Sequence, residues 1–363
     1  MMQFQVRKDD VTHGRLSAAA QGEPGDGEIL VGIDRFAFSA NNVTYGVAGH
    51  TLGYWHFFPV GEGDGDDWGV LPVWGFADVV ASNSNEVSVG ERLYGYFPPA
   101  GSLILRPKPM PAGRVLDTSE HRKELPVGYN LYSRVTEGFL PEGVSEDEFM
   151  LLNPLFVTAF SLADMLAANE HYGAKQVVLL SASSKTSVGL AYALNAIDGA
   201  PPVIGVTSDG NVSFTETSKG YDRVVTYETM DEIGSDTPTV IVDMSGNSRV
   251  LGALHGQLGD NMRKSIDVGL THWEEPRARD GIIRERREFF FAPKYIQQRM
   301  KEWGPEVFDE RLRASLGDMI AKTRPWLTMR ALGGLEGLAD IYRDVALGKM
   351  APEEGLIVLV KAG

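Results

Sequence analysis

The nine residues Ser181-Ala182-Ser183-Ser184-Lys185-Thr186-Ser187-Val188-Gly189 combine hydroxyls, one cation and a glycine in a pattern suited to holding phosphate. A dinucleotide site needs a buried strand, a tight turn, and a helix whose unpaired N–H groups meet the diphosphate. The apolar run Gln176 to Leu180 supplies the strand, and Val188, Leu190, Ala191, Leu194 and Ile197 share one helical face beyond the turn. Ser183, Thr186 and Gly189 stand at the G-x-x-G-x-x-G spacing, so only the glycine that permits close helix–strand packing is kept. Ser181, Ser183, Ser184 and Thr186 can cap the helix or donate to phosphate oxygens, and Lys185 adds charge. The competing account is an ordinary serine N-cap in an α/β protein that binds no nucleotide.

Cofactor choice is read at the end of the second strand, where an NAD enzyme places an acid to grip the ribose hydroxyls. Here Val206 is followed by Thr207, Ser208, Asp209, Gly210 and Asn211. Thr207 is neutral where the acid is expected, and Ser208 and Asn211 can donate to a 2′-phosphate. Lys219 or Tyr221 stands within reach from the next turn, whereas Asp209 would repel phosphate if it pointed inward. NADP(H) is favoured over NAD(H).

These residues need a parallel sheet to position them. Apolar runs at Val203 to Val206, Arg223 to Val225, Val240 to Val242, Ser265 to Val268 and Phe289 to Phe291 follow the first strand at roughly 20-residue intervals. They predict a six-stranded Rossmann-type domain. The first third is different: Glu28 to Phe36, Asp78 to Ser82, Arg92 to Phe97 and Ser102 to Arg106 are short strands between Gly, Asn and Pro punctuation, as in a small barrel. Phe308 to Ile320 and Leu335 to Val345 repeat at helical spacing, and Gly355 to Val360 is a closing strand. The expected plan is an N-terminal β-domain, 1–150 with 325–363, into which a nucleotide-binding domain, 151–324, is inserted.

Composition narrows the classes. The chain has 363 residues, 43% of them hydrophobic, and a formal net charge of -15, which argues against binding a phosphate backbone. There is no cysteine, so disulfides, thiolate nucleophiles and cysteine-based zinc sites are excluded. The first ten residues contain no apolar signal core, and no apolar run approaches the ~20 residues of a membrane span, so the expected location is the cytoplasm. No G-x-S-x-G elbow is present, and no histidine pair shows ligand spacing on a predicted helix.

With these elements in place, the chain resembles the zinc-independent branch of the medium-chain dehydrogenase/reductase superfamily, the quinone-oxidoreductase and enoyl-reductase-like enzymes. The resemblance rests on Gly27 to Val31 followed by Ser39 to Tyr45, on Val89 to Gly95, on Tyr172 to Leu179, on Asp243 to Gly246, and on Ala346 to Met350. Val73 to Ala77 and Ser183 to Thr186 mark a poorly characterised branch. The resemblance implies a GroES-like catalytic domain around a Rossmann domain, with Ser245 and Gly269 joining the cofactor contacts. The departures are the missing zinc cysteines, the glycine-poor loop, and a longer stretch from Lys108 to Phe149, with Pro109, Pro111, His121 and Asn130, expected as an insertion over the cleft.

The resemblance further implies metal-free hydride transfer from NADP(H) to an activated double bond or a quinone carbonyl. Tyr45 is then the candidate proton donor, with Asn41 and Asn42 as neutral groups that polarise an oxygen. The aromatic run Tyr54-Trp55-His56-Phe57 suits a pocket for an apolar, aromatic substrate, or equally a core or a dimer contact. His56 is a second candidate acid, and Trp68 and Trp74 carry the same ambiguity. Phe289 to Phe291 is expected at a sheet edge, where two copies would pair as a homodimer. Two other readings stay open: a metal-free alcohol or ketone dehydrogenase of the same fold, and a nucleotide-binding sensor or scaffold without catalysis.

Overall fold

The protein is described by a computed structural model covering residues 1–51, 53–61, 65–269 and 281–360. It divides into two compact units, Met1–Leu151 with Leu327–Gly363, and Leu152–Trp326.

The first unit is β-rich. Its strands are β1 (Met2–Arg7), β2 (Gly14–Ala18), β3 (Ile29–Phe38), β4 (Trp68–Gly69), β5 (Val73–Ser82), β6 (Arg92–Phe97), β7 (Ser102–Leu105), β8 (Pro107–Met110), β9 (Arg114–Asp117) and β10 (Leu131–Arg134). A short helix, α1 (Ala40–Val47), follows β3, and the long α2 (Glu146–Ala168) carries the chain from one unit to the other. Alternation is visible where one face is buried. Phe4, Ile29, Val31, Ile33, Phe36, Val73, Val79, Leu93 and Phe97 form a continuous core in this unit. Lys108 to Phe149 contributes strands β8, β9 and β10, which extend the sheet beyond β6.

The second unit holds β11 (Gln176–Leu180), α3 (Lys185–Asn195), β12 (Val203–Thr207), α4 (Val212–Thr217), β13 (Arg223–Thr226), β14 (Thr239–Asp243), α5 (Ser248–Leu258), β15 (Met262–Val268) and β16 (Arg287–Phe290). Helices α6 (Ala292–Trp303) and α7 (Pro305–Thr323) follow it. All six strands are parallel, in the order β13-β12-β11-β14-β15-β16, so β16 is an edge as expected. Strands β11, β12 and β14 are buried along their whole length, which explains why they read as unbroken apolar runs. The chain ends in the first unit with β17 (Thr328–Gly333), α8 (Gly334–Ala346) and β18 (Glu354–Leu359). The larger sheet of that unit runs β17-β18-β3-β5-β6-β10-β9-β8, with β7 paired to β3, and β2-β1-β4 form a separate small sheet.

One expectation is corrected. Helix α2 is long and apolar enough to cross a membrane by length and composition, with a mean hydropathy of 1.6 over its best window. Most of that window is packed inside the protein (67% buried), as in a core helix, and Pro154 lies within it. The run of charged residues from Arg277 to Glu288 lies outside the described residues as far as 280, and the rest includes a single helical turn, Arg284–Arg286, and the start of β16.

Candidate functional site

In the second unit the candidate cofactor residues gather at the C-terminal edge of the parallel sheet. This is the edge at which open α/β sheets bind ligands. Ser181, just past β11, adopts a left-handed backbone (φ 61), a turn that glycine makes without strain. Ser184 is the N-cap of α3: its hydroxyl accepts the Ser187 N–H at 3.2 Å. Lys185 and Thr186 therefore form the first turn, whose N–H groups lie beyond the reach of intrahelical carbonyls. Ser181, Ser183, Ser184, Lys185 and Thr186 are all half-buried, whereas Ser187 is closed off beneath the helix.

The loop is braced by side chains from neighbouring turns. Asn211 Nδ2 donates to Ser183 Oγ at 3.1 Å, joining the turn after β12 to the phosphate loop. Tyr221 Oη donates to the Ala182 carbonyl at 2.7 Å, so its hydroxyl supports the loop and is not turned toward a 2′-phosphate. The Ser181 N–H donates to Tyr227 Oη at 3.2 Å, a support that nothing in the spacing of β13 discloses. Thr207 ends β12 fully buried, and Ser208 is exposed at the start of the turn Asp209–Asn211. Ser245 folds back on β14, its N–H and hydroxyl both donating to Asp243 Oδ1 at 2.8 and 2.6 Å. Gly269 follows β15 with a left-handed backbone (φ 77).

Gly189 packs differently from the expectation. A Cβ there would lie 2.5 Å from the ring of Phe156 and 3.3 Å from Ala159, so the glycine admits helix α2 against α3 and not a strand.

Beneath α5 lies a buried polar group. Asp267 of β15 is ion-paired with Arg287 Nε of β16 at 2.6 Å and stands beside Asp243 in register. Burial pushes the Asp267 carboxyl up to about 6, and the neighbouring Asp243 adds to this while Arg287 opposes it. His255 of α5 accepts the Ile283 N–H on Nδ1, and burial with the nearby Arg287 lowers it to about 4.

In the first unit the candidate catalytic residues occupy α1. The Asn41 amide donates to Tyr45 Oη at 3.2 Å, which leaves the phenolic proton available to another acceptor. Asn42 does not join them. Its Oδ1 accepts the Ser39 N–H at 2.9 Å and its Nδ2 donates to the Pro72 carbonyl at 2.9 Å, so it caps α1 and anchors it to the strand region. Burial raises Tyr45 above the ordinary phenol range, partly offset by Trp74, Asn41 and Tyr96.

The aromatic run splits. Tyr54 lies with its ring 4.7 Å from that of Tyr45, and its hydroxyl pairs with that of Tyr129 at 3.0 Å. Phe57 is buried against Tyr54, Tyr96 and Tyr129. Trp55 instead fills a slot made by Gly49 and Gly69, where added Cβ atoms would lie 2.0 and 2.3 Å from its ring, so it is core. His56 is exposed.

Three members of the cluster lie outside that run. Trp74 and Tyr96 face each other across β5 and β6, their rings 5.1 Å apart, and Tyr129 closes on Tyr96 at 4.8 Å. The cross-strand alternation of Trp74 and Phe76 with Tyr94 and Tyr96 is the sequence signal that locates the first two. Behind them Arg122, fully buried, binds Asp117, Asn130, the Tyr132 hydroxyl and the Tyr129 carbonyl, and its guanidinium lies 5.0 Å from the Phe58 ring. Among the described residues no group of three His, Asp or Glu side chains is arranged to hold a metal ion.

A six-stranded parallel sheet with a capped helix after its first strand, encoded within a mostly antiparallel β-unit, is the fold of the medium-chain dehydrogenase/reductases. By sequence, the chain belongs to the family described as "Protein of unknown function (DUF2855)", whose model matches residues 36–351. No curated protein matches it by sequence. Among solved structures it is similar to CurA from Vibrio vulnificus in complex with NADPH, at 14% identity and a TM-score of 0.66 over 100% of both chains. It is similar also to mycobacterial Rv1454c complexed with NADPH, at 15% identity and a TM-score of 0.58 over 99% of each chain. A third is YhdH from Escherichia coli K-12 with bound NADPH, at 14% identity and 0.55, covering 99% of this chain and 100% of that one.

Proposed function

We propose that the protein is an NADP(H)-dependent, zinc-independent reductase that transfers hydride to an activated C=C bond or a quinone carbonyl of an apolar, aromatic substrate. The observation that carries the cofactor reading is the strand edge itself. The Ser184-capped helix stands beside a second strand that ends on Thr207 and is followed by Ser208, with no carboxylate at the position that grips a ribose in NAD enzymes. Ser183, Lys185 and Thr186 would hold the diphosphate, and Ser208 would face the 2′-phosphate. CurA, Rv1454c and YhdH, which share the fold, were crystallised with NADPH.

NADPH supplies the hydride when bound; the chain's own part is to orient the substrate and provide a proton. Tyr45 fits the second task, since Asn41 donates to its oxygen and burial keeps it protonated. The absence of cysteine supports a zinc-free reaction. As a further part of the proposal, two copies pair through the open edge of β16 in a cytoplasmic homodimer. The loss of the fingerprint glycines at Ser183 and Thr186 supports a second reading, a sensor that binds nucleotide without turnover.

The decisive experiment follows NADPH oxidation with quinones and aryl enones against simple ketones. Turnover with the first group is expected. Activity on ketones alone would move the assignment to an alcohol or ketone dehydrogenase, and tight NADPH binding with no turnover would favour the sensor.

A further inference from the structure

Two buried donors in the first unit make no hydrogen bond of ordinary geometry, although both lie close enough to the Tyr45 oxygen to lower its pKa. Tyr96 is wholly inaccessible, and its hydroxyl has no hydrogen-bond partner among the described residues; neither has the indole Nε1 of Trp74, itself out of contact with solvent. A buried donor left unpaired costs ~1–3 kcal/mol, so two in one place call for a physical reason. Both lie beside Tyr45. The Tyr45 and Tyr96 rings meet edge-on at 5.7 Å, and the Trp74 ring contacts Tyr96 at 5.1 Å. The other hydroxyls nearby are already engaged, Tyr54 with Tyr129 and Tyr132 with the Tyr96 carbonyl. Among the described residues the cation behind this cluster is already engaged, since Arg122 binds Asp117, Asn130, Tyr132 and the Tyr129 carbonyl.

We propose that Trp74 Nε1–H and Tyr96 Oη–H, together with the Tyr45 hydroxyl, form an oxyanion site built of neutral donors, and that its ligand is the oxygen of a flat conjugated carbonyl. Neutral donors held in a dry pocket stabilise charge that develops on an oxygen without any reorganisation at that moment. The faces of Tyr54, Phe57 and Tyr129 border the same place, which suits an aryl enone or a quinone better than a flexible aliphatic chain. In the reaction proposed above, hydride adds to the distal carbon of the conjugated system. The π electrons move to the carbonyl oxygen, and Tyr45 then delivers the proton to the enolate. The inference rests on that reading for the identity of the reaction, but not for the donor site.

The test needs no cofactor. Purified protein is titrated with 4-nitrophenol across pH, following the visible absorbance of the phenolate, and with 4-nitroanisole as a neutral partner of similar shape. The account expects the bound phenol to ionise at lower pH than the free one. It expects Tyr96→Phe and Trp74→Phe each to weaken phenolate binding about tenfold while nitroanisole binding changes less than about twofold. Tyr96→Phe keeps the ring and decides the matter if Trp74→Phe fails to fold, as judged by circular dichroism. Phenolate bound no better than nitroanisole, or bound equally by wild type and Tyr96→Phe, overturns the donor site. If the phenolate result holds and NADPH does not bind, the reductase reading falls and the oxyanion site stands.

Discussion

The Asn41 amide donates to the Tyr45 oxygen, which leaves the phenolic proton for another acceptor. Removing the hydroxyl in Tyr45→Phe is expected to lower turnover by a factor of about 10² to 10⁴, the usual contribution of a positioned acid, with NADPH affinity unchanged. Steady-state turnover and a fluorescence titration check both halves, and wild-type turnover in the variant would take Tyr45 out of the mechanism. Because burial raises its pKa, kcat/KM should stay level through mildly alkaline pH and fall only above the ordinary tyrosine value of ~10. The difference between Asn41 and Asn42 was partly legible. Asn41 lies four residues before Tyr45 and so shares its helical face, whereas Asn42 is the third helical residue after Ser39, the place from which a side chain reaches back to cap. Tyr129 was not legible, since only the path of the chain through β9 and β10 brings it to Tyr45.

At the level of elements, two packed features give opposed expectations to measure. Gly189→Ala puts a methyl group 2.5 Å from the Phe156 ring, an overpacking that should lower stability by about 1–3 kcal/mol in urea unfolding. No loss of stability would show that α2 and α3 are not in close contact there. The second feature is the buried pair under α5. The folded pKa of Asp267 is raised to about 6, so the native state holds its proton more firmly than the unfolded chain, and this contribution is lost as pH rises from about 4 to 6. His255 is lowered to about 4, so its contribution runs the other way, lost as pH falls from about 6.5 to 4. Each amounts to about 3 kcal/mol at 1.36 per pKa unit, so these two contributions should nearly cancel in this window. Asp267→Asn leaves the histidine unopposed, and its urea midpoint should climb between pH 4 and 6.5. A level profile in the variant would contradict the assignment. The strands themselves were readable from apolar runs, because β11, β12 and β14 are buried on both faces. Helix α2 was not, because its apolar residues cover every side and leave no periodic stripe.

At the scale of the whole molecule, the alternation of strands and helices from Gln176 onward was enough to read a Rossmann-type sheet, and the turn-rich first third to read a β-domain. The fold seen in CurA, Rv1454c and YhdH agrees with that plan at only 14–15% identity. What the sequence concealed was the use of Lys108 to Phe149: its strands are only four residues long, and it is long-range pairing with β6 and the buried Arg122–Asp117 ion pair that hold them. The phosphate loop was visible as a motif, but its braces, Asn211, Tyr221 and Tyr227, come from distant turns and depend on the folded sheet.

The central claim is that this sheet edge binds NADP(H). Titrating the protein with NADPH and with NADH, by energy transfer from tryptophan to the reduced nicotinamide, tests it most directly. The account predicts saturable binding of NADPH at least about tenfold tighter than NADH, a difference of ~1.4 kcal/mol. Binding of neither nucleotide, or tighter binding of NADH, would contradict it.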